Sequence, residues 1–577
     1  MMLMKSFLSI LIALITVLGI TLLPEESGWT FRESRSFFLL PLFILLVYGI
    51  GSILKDGERR LKLFALIPAV ILSLCRVFGS ILDRKETILW LLKKDNLIPG
   101  IVGFFSVAIM LYCLIFFYYR FLSRVIVSGN RSLPKKVFFL FWIVLILVWL
   151  PIYLNQFPAI ITADSVDQIE MALGAEKLTD HHPVFYTFLI RNVLMLSRKV
   201  FPALDLSFQV GVAMFTGLQF LLMTAVFAHV LTMIFRSGVP RLLNGLFLVF
   251  FTFYPIHPLY SVTIWKDVSF SVCLLVFEVL LFYELRQHKI RFCVGIAVSG
   301  ILLVLFRHNG VWLLVLSIPF LFSAFRSSRK LVLCAFLIAI LFIIAWKSVF
   351  LPALRIPGGE ISEALSLPLQ QIALTAKRQH RSMDEELLAE IRVFFDTPNF
   401  WKWYTYRIAD PVKNRFSETY YRAHRAEFWR LWLKLAKTYP QDTIDGFLLH
   451  TFGYWYPEMP CSGFAVGIDN DGFFGIHMAP KGAGQLAEPI TAWIAGSGYK
   501  DIPLISLLFS PGACFWVCLA CFFYCLYRKS PAFFLFIPVI ILWLTALASP
   551  VNCEYRYVYG MFLCIPLLFT AALVSWD

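Results

Sequence analysis

Long apolar runs separated by short polar segments dominate this chain. A helix needs about 20 apolar residues to cross the hydrocarbon core of a bilayer, and runs of roughly that length recur from one end to the other. The pattern predicts an all-α polytopic membrane protein with about fourteen transmembrane helices. The predicted spans lie at about 6–23, 36–54, 63–82, 97–119, 137–154, 207–235, 242–260, 267–285, 292–306, 310–325, 331–350, 501–526, 531–549 and 557–575.

The polar segments between these runs alternate in charge. Those on one side are mostly short and carry several Lys or Arg residues, as in Lys55–Lys62, Arg286–Arg291 and Arg326–Lys330. Short basic loops remain in the cytoplasm during membrane insertion, so this side is predicted to be cytoplasmic. Both termini are then cytoplasmic, and two long segments, 155–206 and 351–500, lie on the outer face of the cell membrane.

The lengths of the segments divide the chain into four predicted parts. Residues 1–136 form a four-helix N-terminal transmembrane module, and residues 137–350 form a transmembrane core that carries the outer loop 155–206. Residues 351–500 are predicted to form a mainly α-helical outer domain, and residues 501–577 hold the last transmembrane helices.

Within the outer loop, the segment Val184–Val200 has a polar and an apolar face. Such a segment is typical of a helix that lies in the membrane interface.

Composition supports the membrane assignment. The chain has 577 residues, of which 59% are hydrophobic and 15% are charged. A soluble protein of this length needs more polar surface, so the lipid bilayer is the predicted environment. The net charge of +15 follows from the basic cytoplasmic loops, and we therefore expect no nucleic-acid partner. Cys461 and Cys553 are both predicted on the outer face, and the sequence leaves open whether they form a disulfide.

Acidic and imidazole side chains cluster at the start of the outer loop. Asp164 and Asp167 come first, and Asp180, His181 and His182 follow just before the interfacial helix. A single Asp in a loop is best interpreted as a solvated polar residue. Three carboxyl groups and two imidazoles beside a membrane surface favour a functional site instead.

Three short outer turns carry cations to the same membrane boundary. Basic residues that anchor a span are expected on the cytoplasmic side, so cations here need another reason. A guanidinium group binds two oxygens of a phosphate at once, and the three turns together therefore favour one shared anionic ligand. The turns contain Lys266 with Asp267, Arg307 with His308, and Glu554 with Arg556.

The polar motifs follow a distinctive order along the chain. They are DSVDQ from Asp164, DHHP from Asp180, WKD from Trp265, RHNG from Arg307, GYWYP from Gly453 and EYRY from Glu554. In this order, and over residues 137–577, the chain resembles polytopic bacterial membrane proteins that look like GT-C glycosyltransferases.

The resemblance implies a GT-C-like membrane enzyme that moves a sugar from a polyprenyl-phosphate carrier to an acceptor outside the cytoplasm. The acceptor is a cell-wall or surface glycopolymer, or a lipid. The essential carboxylate of such enzymes lies in the first outer loop of the core, which matches Asp164, with Asp167 or Asp180 as substitutes and His182 beside them.

The same resemblance implies which residues contact the substrates. They are His181, Lys266, Asp267, Arg307, His308, Tyr454, Tyr456, Glu554 and Arg556. An Asp-Ser pair stands at Asp164 in place of two adjacent acids. The sequence therefore assigns no metal ligands and leaves the participation of a divalent cation open.

Two other functions stay open at this point. A flippase or transporter for lipid-linked sugars would also have about fourteen spans, but it should show internal repeats and charges at mid-membrane depth. We expect neither here, because the polar motifs lie at the outer boundary. A non-catalytic scaffold for envelope assembly would tolerate the replacement of Asp164.

Overall fold

The protein is almost wholly helical. The computed structural model describes residues 2–25, 28–31, 36–127, 129, 131–202 and 207–576. Within them, the named strands form one short antiparallel hairpin, β1 (Leu22–Glu25) with β2 (Gly28–Phe31). The predicted all-α class is therefore confirmed. Residues 203–206 of the outer loop lie outside the described residues.

The N-terminal part contains four long helices. They are α1 (Met2–Ile20), α2 (Ser36–Lys55), α3 (Arg59–Lys85) and α4 (Lys94–Arg124). Helix α1 packs against α2 and α4, and α4 packs against α3. This group is also fastened to the end of the chain, because the Tyr119 hydroxyl donates a hydrogen bond to the carbonyl oxygen of Ala520 at 2.7 Å.

The central part holds both long and short helices. They are α5 (Lys136–Asn155), α6 (Ala163–Leu173), α7 (Val184–Val200), α8 (Ser207–Arg236), α9 (Arg241–Phe253), α10 (Ile256–Ser261), α11 (Lys266–Gln287), α12 (Ile290–Phe306), α13 (Gly310–Ala324) and α14 (Arg329–Ala345). A turn of π-helix, Trp346–Phe350, continues α14.

The following segment folds into short helices. They are α15 (Leu351–Ala353), α16 (Ser366–Gln379), α17 (Glu385–Arg392), α18 (Asp410–Lys413), α19 (Glu418–Ala423), α20 (Arg425–Thr438), α21 (Pro440–Thr451) and α22 (Glu488–Ala495). Turns of 3-10 helix lie at Ile361–Leu365, Phe400–Trp403, Phe452–Tyr454, Phe473–Gly475 and Gly482–Ala487. Phe428 and Leu435 of α20 are buried, so its apolar stripe faces the interior.

The chain ends with four more helices and one further 3-10 turn, Pro531–Leu535. The helices are α23 (Ile505–Leu508), α24 (Pro511–Arg528), α25 (Phe536–Ala546) and α26 (Tyr555–Leu573). Helix α26 packs against α11, α24 and α25.

Eight helices in the described part of the chain are long and apolar enough to cross a membrane. They are α3, α4, α5, α8 from Phe208, α11, α14 continued to Ala353, α24 and α26. Six shorter apolar helices of 10–17 residues occupy the other predicted runs. The multi-pass character is therefore supported, while fourteen crossings stay a prediction.

Two predicted spans differ from the helices that form. The run 242–260 is broken after Phe253, because Pro255 lacks an amide hydrogen and disfavours a helical conformation at Tyr254. The run 501–526 becomes a long helix only at Pro511, where the Ser510 hydroxyl accepts a hydrogen bond from the amide of Ala513 at 3.2 Å. Both boundaries follow from proline chemistry and not from hydrophobicity.

Residues 155–202 and 351–500 meet at one end of the long helices. Backbone bridges join Ile161 to Ile468 and Asp180 to Gly358. Side-chain contacts described below place the first residues of α11 and α26 at the same end. We call this end of the molecule the site side.

Glu278 lies inside α11, far from the site side. It is fully buried, and neither carboxylate oxygen has a hydrogen-bond partner among the described residues. It lies twelve positions after Lys266, which corresponds to about 18 Å along a helix. Glu278 thus places an acidic group near the middle of a helix that is long and apolar enough to span a membrane, which differs from the expectation that such groups are absent from that depth.

Candidate functional site

Asp164 lies in the first turn of α6 and not in an irregular loop, as the sequence suggested. A capping box stabilises the start of this helix: the Thr162 amide donates to the Ser165 hydroxyl at 3.3 Å. The Ser165 hydroxyl in turn donates to the carbonyl of Ile264 at 2.8 Å, and the Trp265 indole donates to the Thr162 hydroxyl at 2.6 Å. The start of α6 is thus fixed against the residues that precede α11.

Two cations from distant parts of the chain meet the carboxylate of Asp164. Nη1 of Arg556 lies 2.6 Å from Oδ2 of Asp164, and Nζ of Lys266 lies 3.9 Å from the same oxygen. Arg556 lies in the first turn of α26, and Lys266 is the first residue of α11. Three helices therefore begin around one carboxylate.

The positive charges around Asp164 favour the binding of an anion. A helix N-terminus carries partial positive charge, and here three of them lie beside two cationic side chains. Burial alone would raise the pKa of Asp164, but Arg556 and Lys266 outweigh it and hold that pKa well below its ordinary value. Asp164 is consequently ionised and holds the two cations together.

His182 binds the second of these cations. Nζ of Lys266 lies 2.7 Å from Nδ1 of His182. Burial, followed by the charge of Lys266, lowers the pKa of His182 to about 2, so the ring is neutral. Because the ammonium donates to Nδ1, the ring proton lies on Nε2, which faces Oδ2 of Asp167 at 3.9 Å.

Asp167 has a different environment from Asp164, although both lie on α6. Its side chain is 54% exposed, so it is accessible to a ligand. Partial burial raises its pKa, and the carboxylates of Glu176 and Asp164 raise it further. We name Asp164, Asp167, His182, Lys266 and Arg556 the Asp164 cluster.

Arg307 pairs with a different acid. Its Nε lies 3.2 Å from Oδ1 of Asp267, and its Nη1 donates to the carbonyl of Tyr557 at 3.2 Å. Both side chains of the pair are almost completely buried. Arg307 thus contacts the residues that follow Lys266 and Arg556 in the chain, which are Asp267 and Tyr557. Its charge is already neutralised by Asp267.

Asp180 and His308 hold the loop that carries His182. Nε2 of His308 donates to the carbonyl of Asp180 at 2.9 Å and lies 3.7 Å from Oδ2 of the same residue. Oδ1 of Asp180 accepts a hydrogen bond from the amide of Val184 at 3.2 Å, at the start of α7. These contacts give Asp180 and His308 a positioning role for α7 and the preceding loop.

A small cavity adjoins the contact between Asp180 and His308. It is also lined by Val184, Trp346 and Lys347. Its volume is about 10 Å³, which is close to the space that one water molecule needs. This cavity is therefore too small for a sugar.

Glu554 and Tyr454 hold Arg556 in position. Oε1 of Glu554 lies 3.7 Å from Nε of Arg556. The amide of Glu554 donates to the Tyr454 hydroxyl at 3.1 Å, and that hydroxyl donates to the carbonyl of Val551 at 2.7 Å. Tyr454 is fully buried, so it braces the start of α26.

Tyr456 is not brought to the cluster. Its hydroxyl donates to Glu458 at 3.1 Å, and Glu458 pairs with Arg76 of α3 at 2.9 Å. The ring packs against Gly79, where an added Cβ would lie 2.3 Å from the ring carbons. Tyr456 thus contacts the N-terminal helices.

Trp265 is a residue that sequence reasoning left out of the site. The guanidinium carbon of Arg556 lies 4.8 Å from the centre of the Trp265 ring, a distance at which a cation and a ring attract each other. Its place in the WKD motif was the available signal.

Cys461 and Cys553 lie side by side at the start of α26. Their Sγ atoms are 2.9 Å apart, and both residues are free thiols.

Residues 174–575 match the model of a family of unknown function, DUF6020. The chain belongs to this family. The match takes in His182, Lys266 and Arg556 of the Asp164 cluster, and it begins after α6. No curated protein and no solved structure matches this DUF6020 chain.

Proposed function

We propose that this DUF6020 protein is a membrane glycosyltransferase of the GT-C type. It transfers a sugar from a polyprenyl-phosphate carrier to a glycopolymer or lipid acceptor at the site side. The observation that carries the proposal is the Asp164 carboxylate, held between Arg556 and Lys266 where α6, α11 and α26 begin.

The leaving group of this reaction is a lipid phosphate. Negative charge grows on its oxygens as the bond to the sugar breaks, and fixed cations and helix N-termini stabilise that charge. Arg556 and Lys266 supply the cations, and both lie at the ends of helices that are long and apolar enough to span a membrane. A phosphate carried by a lipid reaches such a position without leaving the bilayer.

The acceptor hydroxyl must lose a proton as the new bond forms. Asp164 is a weak base while it is paired, because the cations hold its pKa low. Asp167 suits the role better, since its pKa is raised and its side chain is accessible. We assign the proton transfer to Asp167. The N–H group at Nε2 of His182 orients Asp167, and Asp164 positions the two cations.

The reaction requires the site side to be the outer face of the membrane. The basic loops of the opposite side support this orientation. We propose that the chain crosses a bacterial cell membrane fourteen times and that both termini are cytoplasmic.

The release of free polyprenyl phosphate tests the transferase directly, because it does not require knowledge of the acceptor. Membranes that contain the full chain are supplied with a panel of polyprenyl-phosphate sugars, and the released lipid phosphate is measured by mass spectrometry. We expect release by the wild type and a reduction of about 10²–10⁴-fold for Asp167→Asn, the usual effect of losing a general base. Asp164→Asn and Lys266→Gln should also reduce release strongly.

Asp471→Asn is the matched control. This carboxyl is 51% exposed and pairs with His477 at 3.6 Å, not with a residue of the cluster, so its removal should leave release unchanged. Release at the wild-type rate by both Asp164→Asn and Asp167→Asn, with equal protein abundance, would contradict the proposed enzyme.

Glu278 favours a second candidate function, the transport of a lipid-linked sugar. An ionisable group inside a membrane span often marks a proton or ion path, and this carboxyl is buried without a hydrogen-bond partner in the described residues. A transporter in reconstituted vesicles would move a labelled lipid-linked sugar across the vesicle membrane without releasing polyprenyl phosphate. Glu278→Gln would stop that movement. Unchanged phosphate release by Glu278→Gln would favour the transferase.

A further inference from the structure

A group of side chains of the kinds that ligate metals lies beside the Asp164 cluster. One ring nitrogen of His181 and one carboxylate oxygen each of Glu360 and Glu363 lie within 4.8 Å of one another. His181 adjoins His182, whereas the two glutamates belong to the segment that follows α15. Neither glutamate takes part in the transfer chemistry proposed above.

Backbone contacts bring these side chains together. The amide of Asp180 donates to the carbonyl of Pro357 at 2.9 Å, and Asp180 forms a parallel bridge with Gly358. At Gly359 an added Cβ would lie 3.0 Å from Cα of His181. The absence of a side chain at Gly359 therefore allows its backbone to approach the backbone of His181 closely. Glu360 follows at once, so its position beside His181 is fixed by the main chain.

The local charges leave an excess of carboxylates. Nζ of Lys413 lies 2.5 Å from Oε1 of Glu363 and 2.6 Å from Asp410. One ammonium group is thus shared by two carboxylates, and Glu360 adds a third, with a hydroxyl contact from Ser362 at 3.4 Å. A divalent cation would neutralise the two remaining negative charges.

The imidazole of His181 also lacks a partner. Its Nδ1 is buried and has no hydrogen-bond partner among the described residues. A buried polar atom without a partner is destabilising and uncommon. Imidazole is the commonest metal ligand in proteins, and a metal bound through Nδ1 would give this buried nitrogen the partner that it lacks.

We propose that His181, Glu360 and Glu363 bind one divalent transition-metal cation, with zinc as the best match. An imidazole nitrogen with two carboxylate oxygens suits zinc better than magnesium, which prefers oxygen alone. Tetrahedral ligands at about 2.1 Å from zinc are roughly 3.4 Å apart, so small rotations of these side chains close the site. Glu363 keeps one oxygen for Lys413 and offers the other to the metal.

A metal here would join the segment 357–365 to the loop that carries His182. It would hold that loop against Lys266 without contacting the reacting atoms. The inference does not depend on glycosyl transfer, because metal binding and thermal unfolding are measured without substrate.

The test uses the full chain, purified in detergent without a histidine tag. After the protein is stripped with a chelator, loaded with zinc and freed of unbound metal, its zinc content is measured by mass spectrometry. We expect the wild type to hold about one zinc per chain more than Glu360→Gln or His181→Ala. We also expect zinc loading to raise the melting temperature of the wild type but not that of either variant. Glu360→Gln is the decisive variant, since Glu360 is exposed and makes no ion pair in the described structure.

Glu385→Gln serves as the control, because Glu385 is a highly exposed carboxyl on α17 outside the cluster. It should keep the wild-type zinc content. Equal zinc content in the wild type, Glu360→Gln and His181→Ala would overturn the proposal, and so would a wild-type chain that binds no zinc.

Discussion

The ion pair between Asp164 and Arg556 compensates for a cation in an unfavourable position. Arg556 and Lys266 both lie at helix N-termini, where the helix dipole favours anions and opposes cations. Asp164 compensates by placing a negative charge between them. Cations in this unfavourable place are best explained by an anionic ligand that replaces or joins Asp164.

We predict that Asp164→Asn lowers the free energy of unfolding at pH 7 by about 1.5–3 kcal/mol, the usual value of a hydrogen bond to a charged group. Asn keeps the shape but leaves Arg556 and Lys266 without a counter-charge. The folded pKa of Asp164 lies below its ordinary value. Its contribution is therefore complete above that ordinary value, about 3.9, and is lost as the pH falls through the folded pKa.

Thermal unfolding of both proteins in detergent at pH 7 and at pH 3 measures this effect. The difference in melting temperature should be smaller at pH 3. Asp471→Asn serves as the comparison for an exposed carboxylate that pairs with His477 and not with the cluster. A difference that stays constant with pH would mean that the carboxylate charge does not stabilise the fold.

At the residue scale, the sequence indicates the depth of a side chain but not its partner. Asp164, Lys266 and Arg556 were predicted from residue type and sidedness, and they are in contact. Arg307 pairs instead with Asp267, and Tyr456 contacts Glu458. Pairs far apart in the chain depend on how helices pack, which no local pattern encodes.

Helices α6 and α7 show what local patterns can and cannot reveal. The amphipathic pattern gave α7 its observed bounds, Val184–Val200. Helix α6 was missed because its cap uses Ser165 where the usual capping box has Glu or Gln. Its role as the support of Asp164 therefore became visible only in the structure.

The contact between α3 and Tyr456 gives a prediction about helix packing. Gly79→Ala should destabilise the protein by about 1–3 kcal/mol, because the new methyl group would overlap the Tyr456 ring. In a helix free of such a contact, the same change stabilises by roughly 0.5–1 kcal/mol. The sign of the change therefore reports the contact.

A double-mutant cycle with Tyr456→Ala measures this coupling by thermal unfolding. The cost of Gly79→Ala should largely disappear when Tyr456 is absent. Gly57→Ala is the control, since nothing lies within 4 Å of a Cβ there. Additive effects of the two substitutions would show that the ring does not restrict α3.

Over the whole molecule, hydrophobicity predicted where helices form because it is a local property. Each predicted run contains an apolar helix. The backbone bridge between Ile161 and Ile468, which joins the segments 155–202 and 351–500, could not be predicted, because such a bridge leaves no periodic signal in the sequence.

The orientation of the molecule is testable by cysteine labelling. We predict that an impermeant maleimide labels Ser382→Cys in intact cells and labels Ser327→Cys only after lysis, because the loop around Ser327 is basic and basic loops remain in the cytoplasm. Both positions are exposed. The unsubstituted protein measures labelling of the native thiols, and labelling of Ser327→Cys alone in intact cells would reverse the orientation.

The ion pair of Asp164 and Arg556 also sets an order for biosynthesis. The two residues are 392 positions apart, and a ribosome that adds about 5–20 residues per second takes roughly 20–80 s to cover that interval. Once Lys266 has been added, it is the only counter-ion that the cluster offers to Asp164 until α26 is made. Completion of the cluster therefore has to wait until α26 has been made, and a chain released before α26 never acquires it.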